Sequence, residues 1–178
     1  MSARLHVEGT EVHVWTCADA RLAWLAVLSR YEDAIESRLR RTVLGKPFLA
    51  GTSLRFNRSR SHGRCVVAVS RFEIGIDLER VEPLADLAPL VEATLTARER
   101  DAFERMPQGE RLAFFYRCWT RKEARLKAAG VGLRQDPRGV ETNDGLSGWR
   151  WSESDPPAGY AMALAARLPF TVANQGEA

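Results

Sequence analysis

Two carboxylates stand two residues apart in Gly75-Ile76-Asp77-Leu78-Glu79, and a third acid stands one helical turn before a lysine in Trp119-Thr120-Arg121-Lys122-Glu123-Ala124-Arg125-Leu126-Lys127. Side chains of a strand alternate between faces, so Asp77 and Glu79 share one face and the apolar Ile76 and Leu78 take the other. The two acids then lie roughly 7 Å apart along the strand. Like charges so placed repel unless something positive lies between or above them. A hard divalent cation meets that need, because Mg²⁺ takes one or two protein carboxylates and completes its octahedron with water and phosphate oxygens. Arginines pairing with the acids of a solvent-facing strand edge would meet it too. Glu123 and Lys127 have the same double reading, since Glu four residues before Lys is also an ordinary stabilising helix pair. Trp119 and Leu126 bury the adjoining stripe, which puts Glu123 and Lys127 near the edge of the packed face.

The stretch from Arg55 through Phe56-Asn57-Arg58-Ser59-Arg60-Ser61-His62-Gly63-Arg64 carries four arginines and two serines ahead of a strand. Guanidinium forks, hydroxyls and loop N–H groups are the ingredients of a phosphate cradle. A basic RNA-binding loop and a merely solvated turn are the competing readings, and Phe56 as the single aromatic is thin for base stacking.

The elements that must position these groups follow from the pattern of the chain. Its 178 residues, 45% of them hydrophobic, suffice for one domain or two small halves with a real core. A net charge of +3 does not demand a nucleic-acid partner. Arginine supplies most of the 26 basic residues, and only Lys46, Lys122 and Lys127 are lysine, so these three positions are candidates for needing a compact ammonium. Cys17, Cys65 and Cys118 are odd in number, far apart in sequence and without a Cys-x-x-Cys pair, which points to reduced thiols and a cytoplasmic setting. Met1 to Glu8 lacks the pattern of an export signal, and no run of 18 apolar residues predicts a membrane span.

Leu5, Val7, Val12 and Val14 alternate around Glu8 to Glu11 and predict a hairpin or a strand with a ragged start. Ala18 to Leu44 reads as helical, broken at Gly45-Lys46-Pro47, and strands are expected through Cys65 to Val69 and Ile74 to Val81. Thr96-Ala97-Arg98-Glu99 has the form of a capping box opening a short helix to about Met106. Leu112, Phe115, Trp119, Leu126 and Ala129 then fall on one stripe of a long helix ending at Gly130. Asp144 to Gly159 is rich in turn residues but holds Trp149 and Trp151 at strand spacing, Tyr160 to Ala166 is a return strand, and the tail after Pro169 is expected to fray. The order predicts two α+β halves with a seam near Phe72 to Ile74.

Taken in order, Gly45-Lys46-Pro47, Phe56-Asn57-x-Ser59-x-Ser61, Gly75-Ile76-Asp77-Leu78-Glu79 and Trp119-x-x-Lys122-Glu123-Ala124-x-x-Lys127 resemble the motifs of the Sfp-type 4′-phosphopantetheinyl transferases. The resemblance covers most of the chain from Leu28 onward. It implies an α+β monomer of two similar halves, 1–73 and 74–178, related by a pseudo-twofold axis with the active site in the cleft between them. It implies a cytoplasmic enzyme that transfers the phosphopantetheine of coenzyme A to a serine of an apo acyl or peptidyl carrier protein and releases 3′,5′-ADP, with Mg²⁺ or Mn²⁺ as cofactor and neither nucleic acid nor membrane as partner.

By motif, Asp77, Glu79 and Glu123 resemble the metal-binding acids, and Lys127 resembles the lysine beside the pyrophosphate. Lys46, Pro47, Ser59, Arg60, Ser61 and His62 fall in the segments that hold the nucleotide end. Asp77, Glu123 and Lys127 are the expected catalytic set, with Glu123, directly or through a metal-bound water, taking the serine proton. Two departures stand out. Arg60 occupies the position where the family has histidine, with His62 two residues later, and the stretch from Leu28 to Gly45 is short, with Asp33 and Glu36 where relatives place basic groups and Arg38, Arg40 and Arg41 nearby. A carrier- or coenzyme-binding module that has lost turnover is therefore the first alternative, and a basic nucleic-acid-binding protein the second. Arg98, Arg100, Arg105 and Arg111 are positioned to steer an acidic carrier.

Overall fold

The computed structural model describes residues 5, 7, 9–142, 148–153, 156–167 and 169–178. The run Cys65-Val66-Val67-Ala68-Val69 lies in a strand, Arg64–Ser70, with six of its seven residues buried, as befits a strand covered on both faces. In chain order the strands are Glu11–Ala18 (β1), Leu39–Arg41 (β2), Pro47–Leu49 (β3), Arg55–Ser61 (β4), Arg64–Ser70 (β5), Gly75–Arg80 (β6), Arg150–Ser152 (β7), Tyr160–Ala166 (β8) and Thr171–Glu177 (β9). The helices are Arg21–Ser29 (α1), Ile35–Arg38 (α2), Ala88–Thr94 (α3), Ala97–Arg105 (α4) and Gln108–Ala129 (α5).

Among the described residues one sheet has the order β4-β5-β1-β9, a second has β6-β8-β7, and β2 and β3 pair as a short hairpin. Side chains on one face of the first sheet, Trp15, Cys17, Cys65, Val67 and Val69, pack under α1 against Trp24, Leu25 and Leu28. Val12, Val14, Val66 and Ala68 on the other face pack against Ile76, Leu78, Met162 and Leu164 of the second sheet. Ala163 and Ala165 meet Ala124 and Ala128 of α5 on that sheet's far side. The result is a mixed α+β stack in the order helix, sheet, sheet, helix.

The capping box forms as expected: the Glu99 N–H donates to Thr96 Oγ1 at 3.2 Å and the Thr96 N–H donates to Glu99 Oε2 at 2.9 Å. Gly130, at φ +72°, closes α5 with its N–H directed to the carbonyls of Leu126 and Lys127. Ala129 leaves the expected stripe and is exposed, whereas Ala124, Leu126 and Ala128 are buried.

Three other expectations change. The helical reading of Ala18 to Leu44 holds only over α1 and the single turn of α2, because Ala34 enters the left-handed region at φ +54° and residues 39–41 leave to pair with β3. Arg55 to Ser61 is a strand rather than a loop, paired residue for residue with β5. The tail does not fray, since β9 lies parallel to β1 with Glu11 opposite Thr171 and Thr16 opposite Glu177. Cys17 and Cys65, distant in sequence, face each other across β1 and β5 as buried free thiols. The hairpin expected at the start involves residues 6 and 8, and the turn-rich stretch includes 143–147 and 154–155; these lie outside the described residues. No helix among the described residues is long and apolar enough to cross a membrane.

Candidate active site

Strand β6 is an edge strand, and its outer edge is met by side chains of β4 rather than by a ladder of main-chain bonds. The strand alternation of β4 sends Asn57, Ser59 and Ser61 to one side, all buried. Asn57 Oδ1 accepts from the Ile76 N–H at 2.9 Å, Ser59 Oγ donates to Asp77 Oδ1 at 2.8 Å, and Ser61 Oγ donates to Glu79 Oε2 at 3.2 Å while accepting from the Arg80 N–H at 3.1 Å. Asn57 and Ser61 thus satisfy two main-chain N–H groups of this edge, and Ser59 and Ser61 fix both acids relative to the first sheet.

Helix α5 closes the site from the other side. A Cβ placed on Gly75 would collide with the carbonyl oxygen of Ala124 and lie 2.5 Å from the nitrogen of Ala128, so glycine here, with two alanines one turn apart, lets the helix backbone approach the strand. That approach brings Lys127 Nζ to 2.5 Å from Asp77 Oδ1 and 2.8 Å from Ser59 Oγ. Trp119, Glu123 and Lys127, at intervals of four residues on one helix face, all line a cavity of about 490 Å³ together with Asp77 and Glu79. Its other wall includes Arg41, Lys46, Pro47, Arg58, Ser59 and Arg60.

Asp77 is 2% exposed, so it does not belong to a solvent-facing strand edge. Three carboxylates are therefore crowded into a poorly hydrated place with one ammonium. Burial above all, with the charge of Asp77 added and Lys127 opposing, pushes the Glu123 carboxyl up to about 7. Glu79 is raised by the same two causes in the same order, against hydrogen bonds from Ser61 and Trp119. Asp77 Oδ2 and Glu123 Oε1 are buried without a hydrogen-bond partner. Among the described residues no three histidines, cysteines or acids form a finished metal cage. Two hard oxygen donors left without partners beside a third carboxylate nevertheless suit Mg²⁺, which needs few protein ligands and keeps water and phosphate oxygens for the rest.

The remaining expected site residues separate. Lys46 lines the cavity and donates to Glu73 Oε2 at 2.5 Å and to the Ala128 carbonyl at 2.8 Å, tying the β2–β3 hairpin to the end of α5. Arg60 lines the cavity and pairs with Asp19 at 3.4 Å. Ser61 lies behind Glu79. His62 sits in the β4–β5 turn at φ +48°, 3.3 Å from Glu82, and is not part of the lining. Lys122 faces the opposite way from Glu123. It is fully buried, 2.7 Å from Glu99, and donates to the carbonyls of Pro137 and Val140. Asn57 as an edge clamp and Trp119 as a wall of the cavity were not expected; the four-residue spacing of Trp119, Glu123 and Lys127 is the signal that points to the latter.

The profile of the 4′-phosphopantetheinyl transferase superfamily matches residues 73–164, just over half of the chain. The chain belongs to this superfamily. Among its curated relatives, the 4′-phosphopantetheinyl transferase HetI of Nostoc is 39% identical over 94 residues, 50% of this chain and 40% of the relative. The 4′-phosphopantetheinyl transferase AcpT of Salmonella typhi is 39% identical over 88 residues, 48% of this chain and 46% of the relative. A putative 4′-phosphopantetheinyl transferase of Synechocystis is 30% identical over 137 residues, 74% of this chain and 56% of the relative. The chain spans about half the length of the curated superfamily members it matches. The profile match takes in β6 and α5, the two elements that bring Asp77, Glu79, Glu123 and Lys127 into one cavity.

Proposed function

We propose that this protein transfers the 4′-phosphopantetheine group of coenzyme A to a serine of an apo acyl or peptidyl carrier protein. The observation that carries the reading is the convergence of Asp77, Glu79, Glu123 and Lys127 on one cavity whose far wall is cationic, in a chain of this superfamily. In this reading residues 1–73 and 74–178 are two similar halves related by a pseudo-twofold axis, and the cavity is the cleft between them.

Asp77, Glu79 and Glu123 would hold Mg²⁺, or Mn²⁺ in its place, which when bound neutralises charge on the pyrophosphate. Lys127, held on Asp77 and Ser59, points an ammonium at the same phosphate oxygens. Lys46, Pro47 and Arg60 receive the nucleotide end, and Arg60 exchanges Asp19 for a phosphate, to which its planar fork is well matched. His62 stands aside from that contact. The carrier serine Oγ attacks the β-phosphorus, the bond to the bridging oxygen breaks, and 3′,5′-ADP leaves with the electron pair. Glu123 takes the serine proton. Charge grows on the phosphoryl oxygens, which is where an aligned ammonium stabilises the transition state more than the ground state.

The test is to incubate the purified protein with coenzyme A, Mg²⁺ and several apo carriers and to weigh the carriers by mass spectrometry. A gain of one phosphopantetheine on at least one carrier is expected, with none in Asp77→Ala. No gain on any carrier overturns the reading, and full activity in Asp77→Ala overturns the assignment of the acids.

A further inference from the structure

The tip of the β2–β3 hairpin contributes to no core. Val43 is 101% exposed and Leu44 44%; among the described residues only Leu22 and Leu90 are other large apolar side chains exposed to a comparable degree, and those two are not adjacent to each other. The tip is nonetheless ordered by its own bonds. The Thr42 N–H donates to the Lys46 carbonyl and the Gly45 N–H to the Thr42 carbonyl, both at 2.9 Å, and Arg41 closes the turn through the Gly45 carbonyl at 2.9 Å. Val43 is thus held wholly in water, and Leu44 partly so, by a closed turn, an arrangement that costs solvation.

Position and charge say what they meet. Leu44 is part of the lining of the cavity that holds Glu123 and Lys127, whereas Val43 is not, so the tip forms one lip of the mouth with Val43 on its outer side. From Ser37 to Thr52 the chain has no Asp or Glu, and Arg40 and Arg41 flank the tip in exposed positions. We propose that the hairpin tip is a docking point for the carrier protein, with Val43 and Leu44 against an apolar spot and Arg40 and Arg41 against the acids around it. The proposal rests on the transfer reading, in which a macromolecular serine must cover this mouth. Two side chains fit a small protein patch; a membrane surface, whose grip grows with inserted apolar area, would call for more. Exposed arginines beside such a patch steer an acidic partner and fix its orientation.

The test uses the full chain and a purified apo acyl carrier protein. Val43→Glu alters a side chain that touches nothing, so folding is preserved. It should raise the KM for the carrier about tenfold or more, weaken direct carrier binding measured by fluorescence anisotropy without coenzyme A to a similar degree, and leave kcat and the KM for coenzyme A unchanged. Val43→Ile should keep wild-type values. Unchanged carrier KM and affinity in Val43→Glu would overturn the proposal while leaving transfer intact. Val43-dependent carrier binding without transfer by the wild type would sustain the docking point and sink the transfer reading. Neither binding nor transfer by the wild type overturns both. Loss in Val43→Glu of binding to phosphatidylserine vesicles, or of self-association, with carrier affinity unaltered, assigns the tip to another partner and overturns the proposal as well.

Discussion

Ser59 Oγ donates to Asp77 Oδ1 and accepts from Lys127 Nζ, each at 2.8 Å, so that one hydroxyl joins a strand of the first sheet, a strand of the second and the last turn of α5. The acid and the ammonium are thereby oriented before any ligand arrives, which is the condition under which fixed charges contribute most to a transition state.

Lys127→Met should lower kcat/KM for transfer by about 10²- to 10³-fold, in the range seen when one aligned electrostatic group is removed. Lys127→Arg should recover little of it, because a guanidinium cannot occupy the place of an ammonium packed between Ser59 and Asp77. Steady-state kinetics with carrier and coenzyme A varied in turn checks both. Recovery to wild-type values in the arginine variant would reduce Lys127 to a generic positive charge.

The raised Glu123 carboxyl has a definite sign in the pH dependence of stability. Its folded value, about 7, lies above the ordinary carboxyl value of 4.5, so the metal-free folded state binds the extra proton and loses stability as the pH rises from 4.5 through 7. Glu123→Gln, neutral throughout, should flatten this fall and be the more stable protein at pH 8 by about 1 kcal/mol once solvent screening is allowed for. Mg²⁺ should raise the melting temperature of the wild type more at pH 8 than at pH 6, and should not do so in Asp77→Ala. Thermal denaturation at the two pH values, with and without Mg²⁺, reads all three.

Gly75→Ala should destabilise the fold by about 3 kcal/mol, because the new methyl group meets helix backbone rather than a side chain that can move aside. Urea denaturation measures it. A loss below about 0.5 kcal/mol would mean that α5 stands off from β6.

Lys122→Met leaves Glu99 buried without its cation and should cost about 3 to 5 kcal/mol, whereas Lys122→Met with Glu99→Gln should recover part of that loss. The double-mutant cycle, read by denaturation, separates this structural lysine from Lys127, whose replacement acts mainly on turnover.

Much of the second half was legible in the sequence because its signals are local. The capping box at Thr96 and Glu99, the glycine stop at Gly130 and the alternation of Ile76, Asp77, Leu78 and Glu79 are each decided within a few residues, and the structure holds them all. The first half was less legible. Arg55 to Ser61 looks like a basic loop because a strand rich in serine and arginine lacks the usual apolar face; its face is polar because it lies against the acids of β6, a contact 18 residues away in sequence. Residues 39–41 follow the helical rhythm of α1 and become a strand only through pairing with β3, where tertiary context overrides local propensity. The grouping of Asp77, Glu79, Glu123 and Lys127 was readable as two separate pairs; their meeting depends on Gly75, whose missing side chain is visible only once the helix is in place.

The parallel pairing of β9 with β1 has a consequence for biogenesis. A chain emerging from the ribosome displays the edge of β1 from the outset, yet the strand that covers it consists of residues 171–177, some 150 residues later. Until then that edge is an open template for intermolecular pairing, and its late closure is the kind of long-range step that slows folding. Fragments cut near residue 73 would part β1 from β9, so they should be poor at folding alone and should recover native structure, if at all, only together.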